Sequence, residues 1–81
     1  MKSRTKYSIS EAQPDFEELR ARGYKVHQFL PWHYRVTHED YETEIDVWPT
    51  TRKLCNRFAG SAWEYRDMVK EIDRAFAKED Q

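Results

Sequence analysis

At 81 residues the chain has room for one domain around one small core. Its 14 basic and 15 acidic residues leave a net charge of −1, which disfavours a uniformly basic nucleic-acid binder. No apolar run approaches the roughly 20 residues of a membrane helix, no apolar stretch follows Lys2 and Arg4, and the single Cys55 cannot form an internal disulfide, so the expectation is a cytoplasmic protein.

In chain order, residues 1–7 (MKSRTKY) are basic and expected to fray. A first helix is expected over 10–22. Ser10 with Gln13 has capping-box spacing, and Ser8 with Glu11 offers an alternative start. Pro14 fits the first turn, where a missing N–H does little harm, and Gly23 reads as the stop. Phe16 and Leu19, with Ala12 in line, form a narrow apolar stripe. Three runs rich in Val, Ile, Thr and aromatics follow at 24–30, 33–38 and 41–48, with turns at Pro31-Trp32 and Glu39-Asp40. Residues 49–60 read as a loop with room for a short fourth strand near Lys53–Asn56. A second helix is expected over 61–78, capped by Ser61 with Glu64. Its apolar stripe is Tyr65, Met68, Val69, Ile72 and Phe76, at i, i+3, i+4, i+7 and i+11. The tail 79–81 is expected to be solvated. The expected class is therefore α+β. A three-stranded antiparallel sheet in the order α-β-β-β-α carries a long C-terminal helix on the face made by Val26, Tyr34, Val36, Ile45 and Val47.

The outer face of that sheet is the best lead to function. Side chains alternate along a strand, so Tyr41, Thr43, Ile45 and Val47 face the core while Glu42, Glu44, Asp46 and Trp48 face out. Lys25, His27 and Phe29 from the first strand and His33, Arg35 and Thr37 from the second share the outer face, where Arg35 can pair with Glu44. One reading is a solvated, charge-patterned sheet. The other is a contact surface made by Phe29, Arg35, Glu42, Glu44, Asp46 and Trp48, with the carboxylates meeting a basic protein partner and the aromatic rings anchoring it. Twelve of the 81 residues are aromatic, more than so small a core hides, which favours contacts through exposed rings. So small a core is also helped by association, including a homodimer.

Enzyme chemistry finds little support. His27, His33 and His38 lack metal-ligand spacing and no cysteine pair accompanies them. Glu42, Glu44 and Asp46 with the later Lys53 only loosely match a metal-nuclease hairpin. Gly23 and Gly60 stand alone at helix ends rather than in a phosphate loop, and Cys55 reads as a small core residue. The expectation is a non-enzyme with no cofactor and no metal. A nucleic-acid interface through Arg52, Lys53 and Arg57, helped by Lys2, Arg4 and Lys6, is the alternative.

Two resemblances bear on this. The α-β-β-β-α order is similar to that of double-stranded-RNA-binding domains, but those carry lysines at the start of the second helix. This chain has Ser61-Ala62-Trp63-Glu64-Tyr65-Arg66 there. The segment Ile45-Asp46-Val47-Trp48-Pro49-Thr50-Thr51-Arg52-Lys53-Leu54 resembles small uncharacterised phage and prophage proteins in which an aromatic-Pro-Thr/Ser-Thr-Gly-Lys-Trp segment ends a hairpin. Arg52 stands where glycine is common, and Leu54 where tryptophan is. The resemblance implies a phage context, in which small acidic-faced proteins bind and block host proteins, including defence machinery such as CRISPR complexes. The expected function is stoichiometric inhibition of such a complex by protein–protein contact.

Overall fold

A computed structural model describes residues 7–80, without the side chain of Asp80. The basic segment 1–6 and Gln81 lie outside the described residues, and with them most of the ends expected to fray. Tyr7 and Glu79, placed with those ends, are held. The Tyr7 amide donates to the Thr50 carbonyl at 3.1 Å, and the Glu79 carboxylate accepts from the Thr43 amide at 2.8 Å.

The chain enters through a 3-10 turn, Ile9–Ala12, whose start is capped by the Ser8 hydroxyl accepting from the Ser10 amide at 3.2 Å. Neither serine caps the α-helix expected over 10–22: Ser8 caps this turn, and the helix that follows starts at Gln13 behind Ala12, which makes no side-chain capping bond. Helix α1, Gln13–Ala21, follows with Pro14 in its first turn, as expected. It ends at Gly23, whose φ of +100° is one that L side chains rarely adopt. The Gly23 amide reaches Arg20 and the Tyr24 amide reaches Leu19, a Schellman closure that satisfies two orphan carbonyls.

Five strands follow in a single antiparallel meander: β1 Lys25–Leu30, β2 His33–Thr37, β3 Ile45–Trp48, β4 Lys53–Asn56 and β5 Ser61–Glu64, in spatial order β1-β2-β3-β4-β5. The expected α+β class holds, but among the described residues the sheet has five strands rather than three. The fourth run at Lys53–Asn56 is a full strand. The third is shorter than expected, because residues 38–44 form a loop before β3.

The largest correction concerns residues 61–64, expected to open the last helix. They form β5, which pairs with β4 through Cys55↔Ala62 and Leu54↔Trp63. Gly60, at φ +74°, closes the four-residue hairpin loop 57–60, its amide bonding to the Asn56 carbonyl at 2.7 Å. Helix α2 is Met68–Ala77, capped by Asp67 accepting from the Lys70 amide at 3.1 Å. Glu71 reaches back to the amides of Arg66 (2.9 Å) and Asp67 (3.0 Å) and takes the Trp63 indole N–H at 2.7 Å. The cap and reach-back pair is thus Asp67 with Glu71. With five strands between the helices, the similarity to double-stranded-RNA-binding topology lapses.

Both helices cover one face of the sheet. Met68, Val69, Ile72, Ala75 and Phe76 from α2 and Ala12, Phe16 and Leu19 from the N-terminal segment pack on Tyr34, Val36, Ile45, Val47 and Leu54. Tyr65 joins this core from the connection before α2, and its burial pushes the phenol pKa up to about 12. Arg22 ties the helices together, pairing with Glu18 at 2.7 Å and with Asp73 of α2, and the Tyr24 hydroxyl donates to Asp73 at 2.6 Å. Cys55, expected in the core, is half-buried on the opposite face, because its register partner Asp46 faces outward.

Candidate functional site

The outer face is built on β2, β3 and the start of the β4–β5 loop. Register places Arg35 opposite Asp46, so a guanidinium and a carboxylate meet side by side on adjacent strands. The Arg35 Nε donates to Asp46 Oδ1 at 2.7 Å, and this bond raises the Arg35 pKa still further. Arg57 adds a second cation, 3.7 Å from Asp46 and 3.4 Å from Glu44, and His33 Nε2 lies 3.7 Å from Asp46. The Asp46 side chain is only 6% exposed. The expected pairing of Arg35 with Glu44 exists at 3.9 Å but is secondary to Asp46.

The acidic row expected on one strand face is therefore not an open row. Asp46 is covered by its cations, and Glu44 is shared between Arg35 and Arg57 at the entry to β3. Glu42 lies in the loop before β3, where its backbone amide donates to Glu79. Alternation requires extended backbone in a strand, and strand β3 begins only at Ile45.

An aromatic tier continues from this charge cluster. The His33 and Trp48 rings stack at 4.6 Å with 10° between planes, and the Phe29 ring tilts against His33 at 5.1 Å. The Arg35 guanidinium lies 4.8 Å from the Phe29 ring centroid, so one arginine holds both the acid and the ring. Among the described residues the buried His33 Nε2 has no hydrogen-bond partner and stands just beyond bonding distance of Asp46. Trp48 is half-buried by the stack. Phe29 is 51% exposed, and the β1–β2 hairpin adds Leu30 at 46% and Trp32 at 49%. Sequence reasoning found Phe29 and Trp48 but passed over Leu30 and Trp32. The signal was available in the Phe-Leu-Pro-Trp run, which straddles a turn that projects past the core.

Arg52, Lys53 and Arg57 do not form one patch. A strand advances about 3.3 Å per residue, so Arg52 and Arg57 stand at opposite ends of β4, about 16 Å apart. Arg52 closes the β3–β4 loop at φ +53°, with its guanidinium 3.9 Å from the Tyr7 ring centroid and 3.7 Å from Glu11. Arg57 is engaged by Glu44 and Asp46, and Lys53 is exposed opposite Trp48. Chemically the outer cluster can hold charge and present rings. Among the described residues no hydrogen bond joins Cys55 to a base, and no group of His, Cys, Asp and Glu is arranged to hold a metal ion. No helix among the described residues is long and apolar enough to cross a membrane.

No family model matches the chain, and neither a curated protein nor a solved structure does.

Proposed function

We propose that the chain is a small, non-enzymatic binding protein of phage type that blocks a host defence complex handling nucleic acid, such as a CRISPR effector, by protein–protein contact. The observation that carries this is the apolar end of the outer face. Phe29, Leu30 and Trp32 are each about half exposed on one hairpin, and the Phe29–His33–Trp48 tier behind them is braced by Arg35 and Asp46. Interfaces favour aromatic anchors held in fixed rotamers, because little entropy is lost when they dock. Arg35 and Asp46 act as the brace, Phe29 and Trp48 as anchors. Glu44, with 45% of its side chain exposed, is the carboxylate free to exchange onto a basic residue of the partner. The phage resemblance fits the backbone at one point: glycine is common in that pattern where Arg52 adopts positive φ.

The test is capture of a purified defence complex by the immobilised protein, with nuclease present, alongside a plaque assay in cells armed with that complex. Phe29→Ala combined with Trp48→Ala should leave the fold intact and weaken capture by at least about 2 kcal/mol. Capture that needs nucleic acid, or that the folded double variant retains in full, overturns the reading.

A further inference from the structure

A second surface lies on the other side of the molecule, where the sheet ends. Strand β5 is an edge strand, with no neighbour on its far side among the described residues. Between it and α2 runs an open groove of about 510 Å³, lined by Trp63, by the cations Arg66, Arg74 and Lys78, and by the carboxylates Glu64 and Glu71. Three features set it apart from a plain solvated edge. Arg74 and Lys78 stand at i, i+4 at the C-terminal end of α2, so both cations line the same side of the groove. None of the three cations has an ion-pair partner among the described side chains; Arg74 lies near Glu71, but that carboxylate is taken up by the Trp63 indole and two backbone amides. The backbone groups along the far edge of β5 are also those that an added strand would pair with.

We infer that this groove takes an acidic, extended segment of another protein, added to β5 as a sixth strand. An extended chain carries same-side residues about 6.6 Å apart, and a helix advances about 6 Å over four residues. Carboxylates at alternate positions of the added strand therefore match the spacing of Arg74 and Lys78. The apolar part of the segment lies over Trp63. The chain's own basic segment, with Lys2, Arg4 and Lys6, has the wrong sign for the groove. This site is separate from the outer face and stands or falls independently of it.

The test titrates the full chain with an acetylated hexapeptide of alternating Thr and Glu, followed by amide chemical shifts. Shifts should concentrate at Ser61–Glu64 and Lys78, and leave Phe29 and Trp48 unmoved. Arg74→Gln with Lys78→Gln should raise Kd about tenfold or more. The same peptide N-methylated at alternate amides should fail to bind, and a Thr/Lys peptide should fail likewise. These peptide arms decide the matter even if the double variant folds poorly. Equal binding of the N-methylated peptide overturns strand addition. Absence of binding, or binding of oligothymidylate through Arg74 and Lys78 in place of the peptide, overturns the acidic-segment assignment.

Discussion

Replacing Asp46 with Asn tests the reading of the outer face most directly. The substitution keeps the volume and removes the charge that Arg35, Arg57 and His33 surround. A hydrogen bond between charged groups contributes roughly 1.5–3 kcal/mol, which covers the 2.7 Å bond from Arg35. The Arg57 contact is worth less, about 0–1 kcal/mol, because half of that side chain is in water. Relief of the cost of burying a carboxylate offsets part of the sum. The net expectation is a loss of about 2 kcal/mol, below the roughly 3–5 kcal/mol typical of breaking a fully buried pair, since Arg35 keeps some solvent and Glu44. Urea melts followed by circular dichroism measure it, and a double-mutant cycle with Arg35→Met isolates the pair. A loss under about 0.5 kcal/mol, additive with Arg35→Met, would refute the claim that Asp46 braces this face, and Asp46 would then behave as the ordinary exposed acid that Glu42 is.

Ile72, fully buried under the sheet, should cost roughly 2–5 kcal/mol when cut to Ala, read from the urea midpoint. Asp67→Ala should cost about 1 kcal/mol as a lost N-cap, whereas Ser61→Ala, which lies on β5, should change stability by less than about 0.5 kcal/mol; the reverse order in thermal melts would restore the longer helix. Gly23→Ala should cost about 1 kcal/mol or more, because its φ of +100° strains any other residue. Stability should also fall in acid. Burial opposes ionisation of Glu71, but the amides of Asp67 and Arg66 and the Trp63 indole outweigh it, and hydrogen bonds from Thr43 and the Glu42 amide act likewise on Glu79, so both carboxyls are lowered from 4.5. Their stabilisation is present above the unfolded value and is lost as pH falls through the folded one, so Glu71→Gln with Glu79→Gln should flatten the loss of melting temperature below about pH 4.5.

Local chemistry alone determined a good deal of this protein. Gly23 as a stop, Pro14 in a first turn, Pro31-Trp32 between strands and the 3.6-residue period of Met68, Val69, Ile72 and Phe76 each act within a few residues, so neighbours in the chain decide them. The inward alternation of Tyr34, Val36, Ile45 and Val47 is of the same kind. Tertiary pairing decided the rest. Ser61-Ala62-Trp63-Glu64 has a capping-box spacing that suits a helix start, and only the ladder with Lys53–Asn56 makes it a strand. Pairing also decides what the outer acids do. Alternation sets the side on which Asp46 points, but the register that lays Arg35 against it, and the hairpin that brings Arg57 back over it, come from residues 11 positions away in either direction. An acid that reads as exposed in sequence is covered in the fold, because its counter-charges arrive from strands that the alternation of one strand says nothing about.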